Sequence, residues 1–319
     1  MALGAQRELN LLLLTIILLP HHCTCRYVAS LHERRLRAIV SGLMQEGMLP
    51  AGSIVDAGAN DGEEACRYAA EQPSRLVHAL DPLAANINAT LRRCGGLANL
   101  RAAIGGLGSA PAVVAVPERL RRMTRGGRQA QVDVSHIEQG GSAVGDDGGG
   151  ATQSFRVWRI DDLFFGGAWA AERLAFAHWD VEGNEAAVVA GATRTLARDR
   201  PLLTLEVVLF PAAQAREQRF GWEVDAAGLL RTLHQQLDYA TFVVEESCGV
   251  GAQCRNLLCV PGAQLATRLD ASTTLRTAIR LGHLTRVDAT NLTAWVAAHP
   301  YKYPGGSPWA GGYTRSTQR

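Results

Sequence analysis

Lysine is nearly missing from this chain of 319 residues: Lys302 is the only one, and arginine supplies the rest of the positive charge. A Schiff base or a lysine nucleophile therefore has almost no candidate. The net charge is only +2, which leaves no electrostatic case for a nucleic-acid partner. Arg121-Arg122 and the group Arg125 to Arg128 fall in a glycine-rich stretch and read as solvated surface. The cysteines include no C-x-x-C pair, and no histidine near Cys248 and Cys254 completes a four-ligand set, so no metal is expected. No apolar run reaches the ~20 residues that span a bilayer. With 47% hydrophobic and 19% charged residues, the chain has the composition of a packed globular protein, long enough for one large α/β domain with extensions.

The most informative stretch that is present runs from Ser53 to Gly62, Ser-Ile-Val-Asp-Ala-Gly-Ala-Asn-Asp-Gly. A short apolar run ends in an acid, turns through two glycines, and meets a helix start at Glu63. That is the opening of a doubly wound, Rossmann-like α/β sheet, with a cofactor loop at the carboxyl edge of the first strand. A second acid, Asp81, ends the next strand-like run, Arg75 to Leu80. Two carboxylates at neighbouring strand ends suit a ligand with an ammonium group and a ribose, and S-adenosylmethionine has both. The dinucleotide fingerprint G-x-G-x-x-G does not fit, because Ala59, Asn60 and Asp61 separate Gly58 from Gly62 and Asp61 would repel a pyrophosphate. No Gly-Lys-Ser/Thr follows, which excludes a P-loop.

The N-terminus carries a targeting pattern. Leu11 to Leu19 is apolar except at Thr15, Pro20 closes it, and Arg7 precedes it. This length fits the core of a signal peptide over residues 1–25, with Cys23-Thr24-Cys25 offering small residues for cleavage before Arg26. An uncleaved short anchor or a buried helix are the alternatives, and an anchor is the only membrane contact expected. Two glycosylation sequons, at Asn88 and Asn291, agree with secretory entry, in the Golgi lumen or outside the cell. Cys66 and Cys94 fall on helix-like stretches and read as inert core residues. Cys248 and Cys254 bracket a short link between two strand-like runs, where a disulfide would staple the connection.

Along the chain, Leu36, Val40 and Leu43 recur at helical spacing and predict a helix through Ala29 to Met48, within an N-terminal segment 26–50. From 51 to 262 strands and helices alternate, which argues for a parallel sheet. Strands are expected at Ser53–Val55, Val77–Leu80 and near Leu100–Ile104. Residues 105–153 break the rhythm and read as a flexible glycine-rich insertion, with one strand at Ala112–Val116. Strands follow at Phe155–Ile160, Leu174–Trp179 and Leu202–Leu209, with helices at Glu182–Leu196 and Gly228–Leu237. Ala240–Val244 and Asn256–Val260, joined by a short link, imply an antiparallel hairpin at the sheet edge. The part after 262 is helical to about Ala298 and ends in an aromatic tail holding Tyr301, Tyr303, Trp309 and Tyr313.

Asp180-Val181-Glu182-Gly183-Asn184-Glu185, followed by Gly191-Ala192, is the most specific pattern. Glu182 and Glu185 would suit the positive end of a helix, but Asp180 at a strand's carboxyl edge needs another reason. Taken in order, six blocks resemble the FkbM family of class I methyltransferases. They are Val55–Gly62, Ala79–Pro82, Ile160–Leu163, Asp180–Glu185 with Gly191-Ala192, Pro201–Glu206 and Asn256–Pro261. The resemblance implies O-methylation of a sugar or small-metabolite hydroxyl by S-adenosylmethionine. By position, Asp56, Gly58, Ala59, Asn60 and Gly62 would hold the methionine end of the donor, and Asp81 the ribose hydroxyls. Asp180 and Glu182 would lie at the active-site rim, one of them as base. His178 stands where the family has a basic residue, and Trp179 replaces a small aliphatic one. The competing reading is a non-catalytic carbohydrate-binding module that keeps the fold, which a decayed donor loop would favour; Asp56, Gly58 and Asp81 are all present. A nicotinamide oxidoreductase fails on the glycine spacing and the edge hairpin.

Overall fold

The computed structural model describes residues 33–116, 153–208, 226–246, 254–291 and 294. The signal segment, most of the glycine-rich insertion, Cys248 with the Cys254 side chain, and the aromatic tail lie outside the described residues. The elements in chain order are α1 (Arg34–Gln45), β1 (Ser53–Ala57), α2 (Glu63–Glu71), β2 (Val77–Asp81), α3 (Ala84–Arg93), β3 (Leu100–Leu107) and β4 (Ala112–Val116). They continue with β5 (Gln153–Trp158), α4 (Ile160–Phe165), β6 (Leu174–Trp179), α5 (Glu185–Ala190), α6 (Thr193–Asp199), β7 (Leu202–Val208) and α7 (Ala226–Arg231). After a π-turn come β8 (Tyr239–Val244), β9 (Cys254–Pro261), α8 (Leu265–Ala271), α9 (Thr273–Arg280) and β10 (Leu284–Val287). No helix of the described residues is long and apolar enough to cross a membrane.

All of these strands join one sheet, in the order β10-β8-β9-β7-β6-β1-β2-β3-β5-β4. The centre is parallel: β1 pairs with β2 and β6, β2 with β3, and β6 with β7. Strands buried on both faces need no polar alternation, and every residue of β1, β2 and β6 is buried. The winding direction reverses at β1, so a crevice opens where the carboxyl ends of β1 and β6 part. The short link between β8 and β9 does give an antiparallel pair, with β9 inserted antiparallel between β7 and β8. This is the wound, mostly parallel sheet with an antiparallel hairpin that the sequence implies.

Apolar clusters fill both faces. One is built on Ile54, Phe176, Leu202 and Leu258 under α1 and α2, where α1 buries Leu36, Ile39, Val40, Leu43 and Met44. The other gathers Val55, Trp179, Leu203 and Val188. Trp179 is fully buried there, so its size serves packing rather than the crevice.

Several boundaries differ from the sequence expectation, for local reasons. The hairpin is not the sheet edge, because β10 pairs outside β8. The start of the insertion is ordered: β3 runs on to Leu107, and β4 pairs antiparallel with β5. The helix expected over 182–196 is two helices. Glu182 and Gly183 turn at φ 59° and 101°, and Glu185 turns its carboxylate back onto the Val181 and Gly183 N–H groups at 3.1 and 3.2 Å. The second helix restarts because the buried Asp161 carboxylate accepts from the Arg194 and Thr195 N–H groups and the Thr195 hydroxyl, an N-cap supplied from outside the helix. Residues past 262 pack on α1 through Glu46, which accepts from the Thr274 N–H and hydroxyl, both at 2.9 Å.

Cys66 and Cys94, read as inert from sequence, are joined in a disulfide that ties α2 to the end of α3. Their helical positions hid the pairing, since two helices packed side by side leave no sequence-level sign of which residues meet. The bridge closes a loop of sequence separation 28. Its removal in Cys66→Ser/Cys94→Ser should cost about 3.5 kcal/mol of unfolding free energy, measured by denaturant titration of both proteins under non-reducing conditions.

Candidate functional site

The crevice is set by how closely β1 and β6 approach. Past Ala57 the chain turns at Gly58, with φ 82°. A Cβ there would stand 1.7 Å from the Asp180 carbonyl oxygen, so only glycine fits. The Asp180 N–H donates to Ala57 O at 3.0 Å, and the Gly58 and Ala59 N–H groups both donate to Leu80 O, at 2.9 and 3.0 Å. Three strand ends are thereby laced together by backbone alone. Asn60 sits at φ 50°, and its N–H donates to Asp81 Oδ2 at 2.9 Å. The Thr90 hydroxyl donates to Asn60 O at 3.1 Å, and Asp61 pairs with Arg93. The loop expected from the glycine pattern is present, clamped from α3.

Asp56 lies beneath it, 1% exposed, and neither of its carboxylate oxygens has a hydrogen-bond partner. Burial pushes this carboxyl up to about 7, against the pull of His178, with Glu64 and Asp180 adding to the rise. Asp81 is also buried and is moved up to about 6 by desolvation, while hydrogen bonds from Leu83, Asn86 and Asn60 hold it back. Its Oδ1 accepts from the Leu83 N–H (2.8 Å) and Asn86 Nδ2 (3.1 Å). A carboxylate offers about four acceptor directions, and three are taken. One direction on Oδ2 is left for a hydroxyl.

The acidic motif divides by role. Glu185 is the backbone clamp described above, buried, and its carboxyl is pushed up to about 8 by burial. Asp180 faces the loop, with a buried Oδ1 that has no partner. Glu182 occupies the left-handed turn, a strained conformation for a side-chain-bearing residue. His178 is buried on β6 in register with Asp56, its Nδ1 2.7 Å from Thr204 Oγ1. With the Thr204 hydroxyl placed to donate to Ala177 O at 3.4 Å, Thr204 Oγ1 is left to accept from His178 Nδ1. Asp56, Gly58, Asn60, Gly62, Asp81, His178, Asp180 and Glu182 thus gather around one crevice. Asn88 and Asn291, the sequon asparagines, stand apart and exposed on α3 and in the turn after β10.

Further acids converge here that residue-by-residue reading of the sequence assigned no role. Glu206, on β7, follows Leu205, whose register partner Trp179 precedes Asp180, so the two acids lie at neighbouring strand ends. Glu33 precedes α1, and Asn256 Nδ2 donates to its carboxylate at 3.0 Å. Burial raises both carboxyls, Asp180 adding to each. The signal for Glu206 and Asn256 was their place in two of the six ordered blocks; Glu33 had none. On α2, Glu64 pairs with Arg67, which also reaches Glu71 and the Ser41 hydroxyl, and Arg37 on α1 pairs with Glu63 and Glu64. Among the described residues no three His, Cys, Asp or Glu side chains are placed to hold a metal ion.

These residues fit a cationic nucleoside. The crevice lining is carboxylate-rich and its most buried member is unpartnered. The model of the methyltransferase FkbM domain matches residues 56–241. Among solved structures, the chain is similar to methyltransferase FkbM from Methylobacillus flagellatus KT, at 16% identity and a TM-score of 0.40, over 66% of this chain and 43% of that one. It is also similar to precorrin-6y C5,15-methyltransferase from Geobacter metallireducens GS-15, at 12% identity and 0.36, over 75% and 94%. A third is magnesium protoporphyrin IX methyltransferase from Synechocystis PCC 6803 with bound SAH, at 12% identity and 0.35, over 72% and 82%. The chain spans less than half the length of the first of these. No curated protein sequence matches it.

Gly58→Ala should cost at least about 3 kcal/mol, read by denaturant unfolding, because backbone rather than a movable side chain blocks the new methyl. Asp56 gives a pH test. Its folded-state carboxyl binds protons more tightly than the unfolded one, so its stabilising share is complete below about pH 4 and is lost as pH rises through about 7. Asp56→Asn should match the parent near pH 4 and exceed it near pH 8 by on the order of a few kcal/mol, measured by thermal or urea melts across that range.

Proposed function

The chain belongs to the methyltransferase FkbM family, and we propose that it methylates a hydroxyl of a glycan or small hydroxylated metabolite within the secretory pathway, with S-adenosylmethionine as donor. The observation that carries this reading is the buried, unpartnered Asp56 carboxylate under a glycine loop at the switch point of the sheet. Such a group is costly unless a ligand of opposite charge completes it. The donor supplies a methyl group already activated on a positive sulfonium.

The chain's own residues hold, align and deprotonate. The loop from Gly58 to Gly62 holds the methionine end, and Asp81 Oδ2 takes one ribose hydroxyl. Alignment is the larger task, since the reacting atoms must be held ~3–3.5 Å apart. A hydroxyl is a poor nucleophile until its proton leaves, so a placed base adds ~10²–10⁴-fold. Asp180 is favoured for that part by its buried, unpartnered Oδ1; Glu182 is the alternative and His178 Nε2 the reserve.

The Cys66–Cys94 bridge supports an oxidising compartment, as do the apolar N-terminal run and the exposed sequon asparagines Asn88 and Asn291. An uncleaved leader would make the protein membrane-anchored there, its acceptor being a soluble or surface glycan.

The test is transfer of a radiolabelled methyl group from S-adenosylmethionine to glycans of the source organism, alongside calorimetric titration of the donor. Asp180→Asn should lower turnover by about 10²–10⁴-fold while donor affinity stays within a few-fold. Unchanged transfer would remove Asp180 from the role. Absence of any saturable donor binding would overturn the enzyme reading.

A further inference from the structure

Glu33 is freed from the duty its position implies. It precedes α1 at the position from which a side-chain oxygen can cap a helix, yet it makes no such bond. Glu246 caps α1 in its place, accepting from the Arg35 and Leu36 N–H groups at 2.7 Å each. With φ 64°, Glu33 turns its side chain instead to Asn256 on β9. Asn256 stands in register with Glu206 on β7, and Glu206 follows Leu205, whose β6 partner Trp179 precedes Asp180. Asn256 is 1% exposed, and its Oδ1 has no partner although the amide lies between two acids. Carboxyls gathered this closely disfavour one another's ionisation, so a charge arriving beside one is felt by the others.

The charges facing this cluster come from every neighbouring element. They are His178 from β6, Glu182 and Glu185 from the turn after it, Asp56 from β1, Arg37 from α1, and Glu64, Arg67 and the buried Tyr68 hydroxyl from α2. Arg37 and Arg67 are matched by Glu63, Glu64 and Glu71. His178 faces these carboxyls from β6. Carboxyls thus outnumber the cations that face this crevice.

Building on the donor reading above, we propose that Glu33 and Glu206, gathered beside Asp180, form a charge-reading cluster that gives up a proton to solvent when a sulfonium ligand binds and keeps it for a neutral thioether. The physical basis is that a positive charge nearby favours the ionised carboxylate. S-adenosylmethionine and S-adenosylhomocysteine share adenosine, amino and carboxylate groups and differ in the sulfur's methyl and charge. Any difference in proton release between them reports that charge. The consequence is discrimination: the pocket tightens on the donor as pH rises and stays indifferent toward the product, which favours product release.

The test is calorimetric titration of the full chain with each ligand, in buffers of different ionisation heat, from pH 6 to 8. The donor should release about half a proton more than the product, and its affinity should rise about three-fold per pH unit relative to the product's. Glu206→Gln and Glu33→Gln, each checked for an intact melting transition, should shrink that difference while product affinity stays within about two-fold. Equal proton release by both ligands on the unsubstituted protein overturns the cluster's role. So does a difference that survives both substitutions. If neither ligand binds, the donor reading itself has failed, which separates the two failures.

Discussion

The approach of Gly58 to the Asp180 carbonyl holds the crevice together. Two parallel strands can end side by side only if the chain leaving one does not strike the chain leaving the other, and a Cβ at position 58 would lie 1.7 Å from backbone that cannot move aside. The hydrogen bonds from Asp180 to Ala57, and from Gly58 and Ala59 to Leu80, then fix three strand ends with no side chain involved. Side chains are thereby released for chemistry: Asp56 inside the sheet, Asp81 at the end of β2, Asp180 at the end of β6. The backbone makes the vessel, and the acids are free to line it.

The acids sort by what they touch. Asp161, Glu185, Glu46 and Glu246 each accept from backbone N–H groups and serve helix ends or turns. Glu63, Glu64 and Glu71 are matched by Arg37 and Arg67. Asp56 has neither kind of partner. Glu33, Asp180 and Glu206 meet other polar side chains rather than a cation or the backbone. A buried carboxyl without compensation costs several kcal/mol, and Asp56 is such a group, with the half-buried Asp180 and Glu206 at neighbouring strand ends. Opposite charge arriving with a ligand is the compensation that fits.

Much of this was legible in the sequence. Strand interiors were clear because buried parallel strands are continuous apolar runs, and the crevice residues from Asp56 to Gly62 were clear because glycine spacing reports backbone shape directly. The break between α5 and α6 was not. Val188, Val189, Ala192 and Leu196 keep helical spacing straight through it, while the interruption depends on Asp161, a residue more than thirty positions away. Cys66–Cys94 was hidden for the same reason, as was Glu33, whose place depends on Glu246 and Asn256 from the far end of the chain. Local pattern reveals elements; long-range hydrogen bonds decide which side chains are spare.

The bridge and the crevice are mechanically one system. Cys66 lies on α2, the helix that begins at Gly62, and Cys94 ends α3, whose Thr90 holds the Asn60 carbonyl. Gly62 turns at φ 81° because a Cβ would stand 2.6 Å from the Thr90 side chain, so the loop is pinched between helices that the disulfide prevents from separating. A cross-link acts mainly by restricting the unfolded chain, but this one also limits local opening of the segment that must stay shaped for a ligand. A loop whose backbone N–H groups are already taken by Leu80 and Asp81 has little else to hold it in register. Stapling the two helices behind it is an economical answer where oxidising conditions allow the bond.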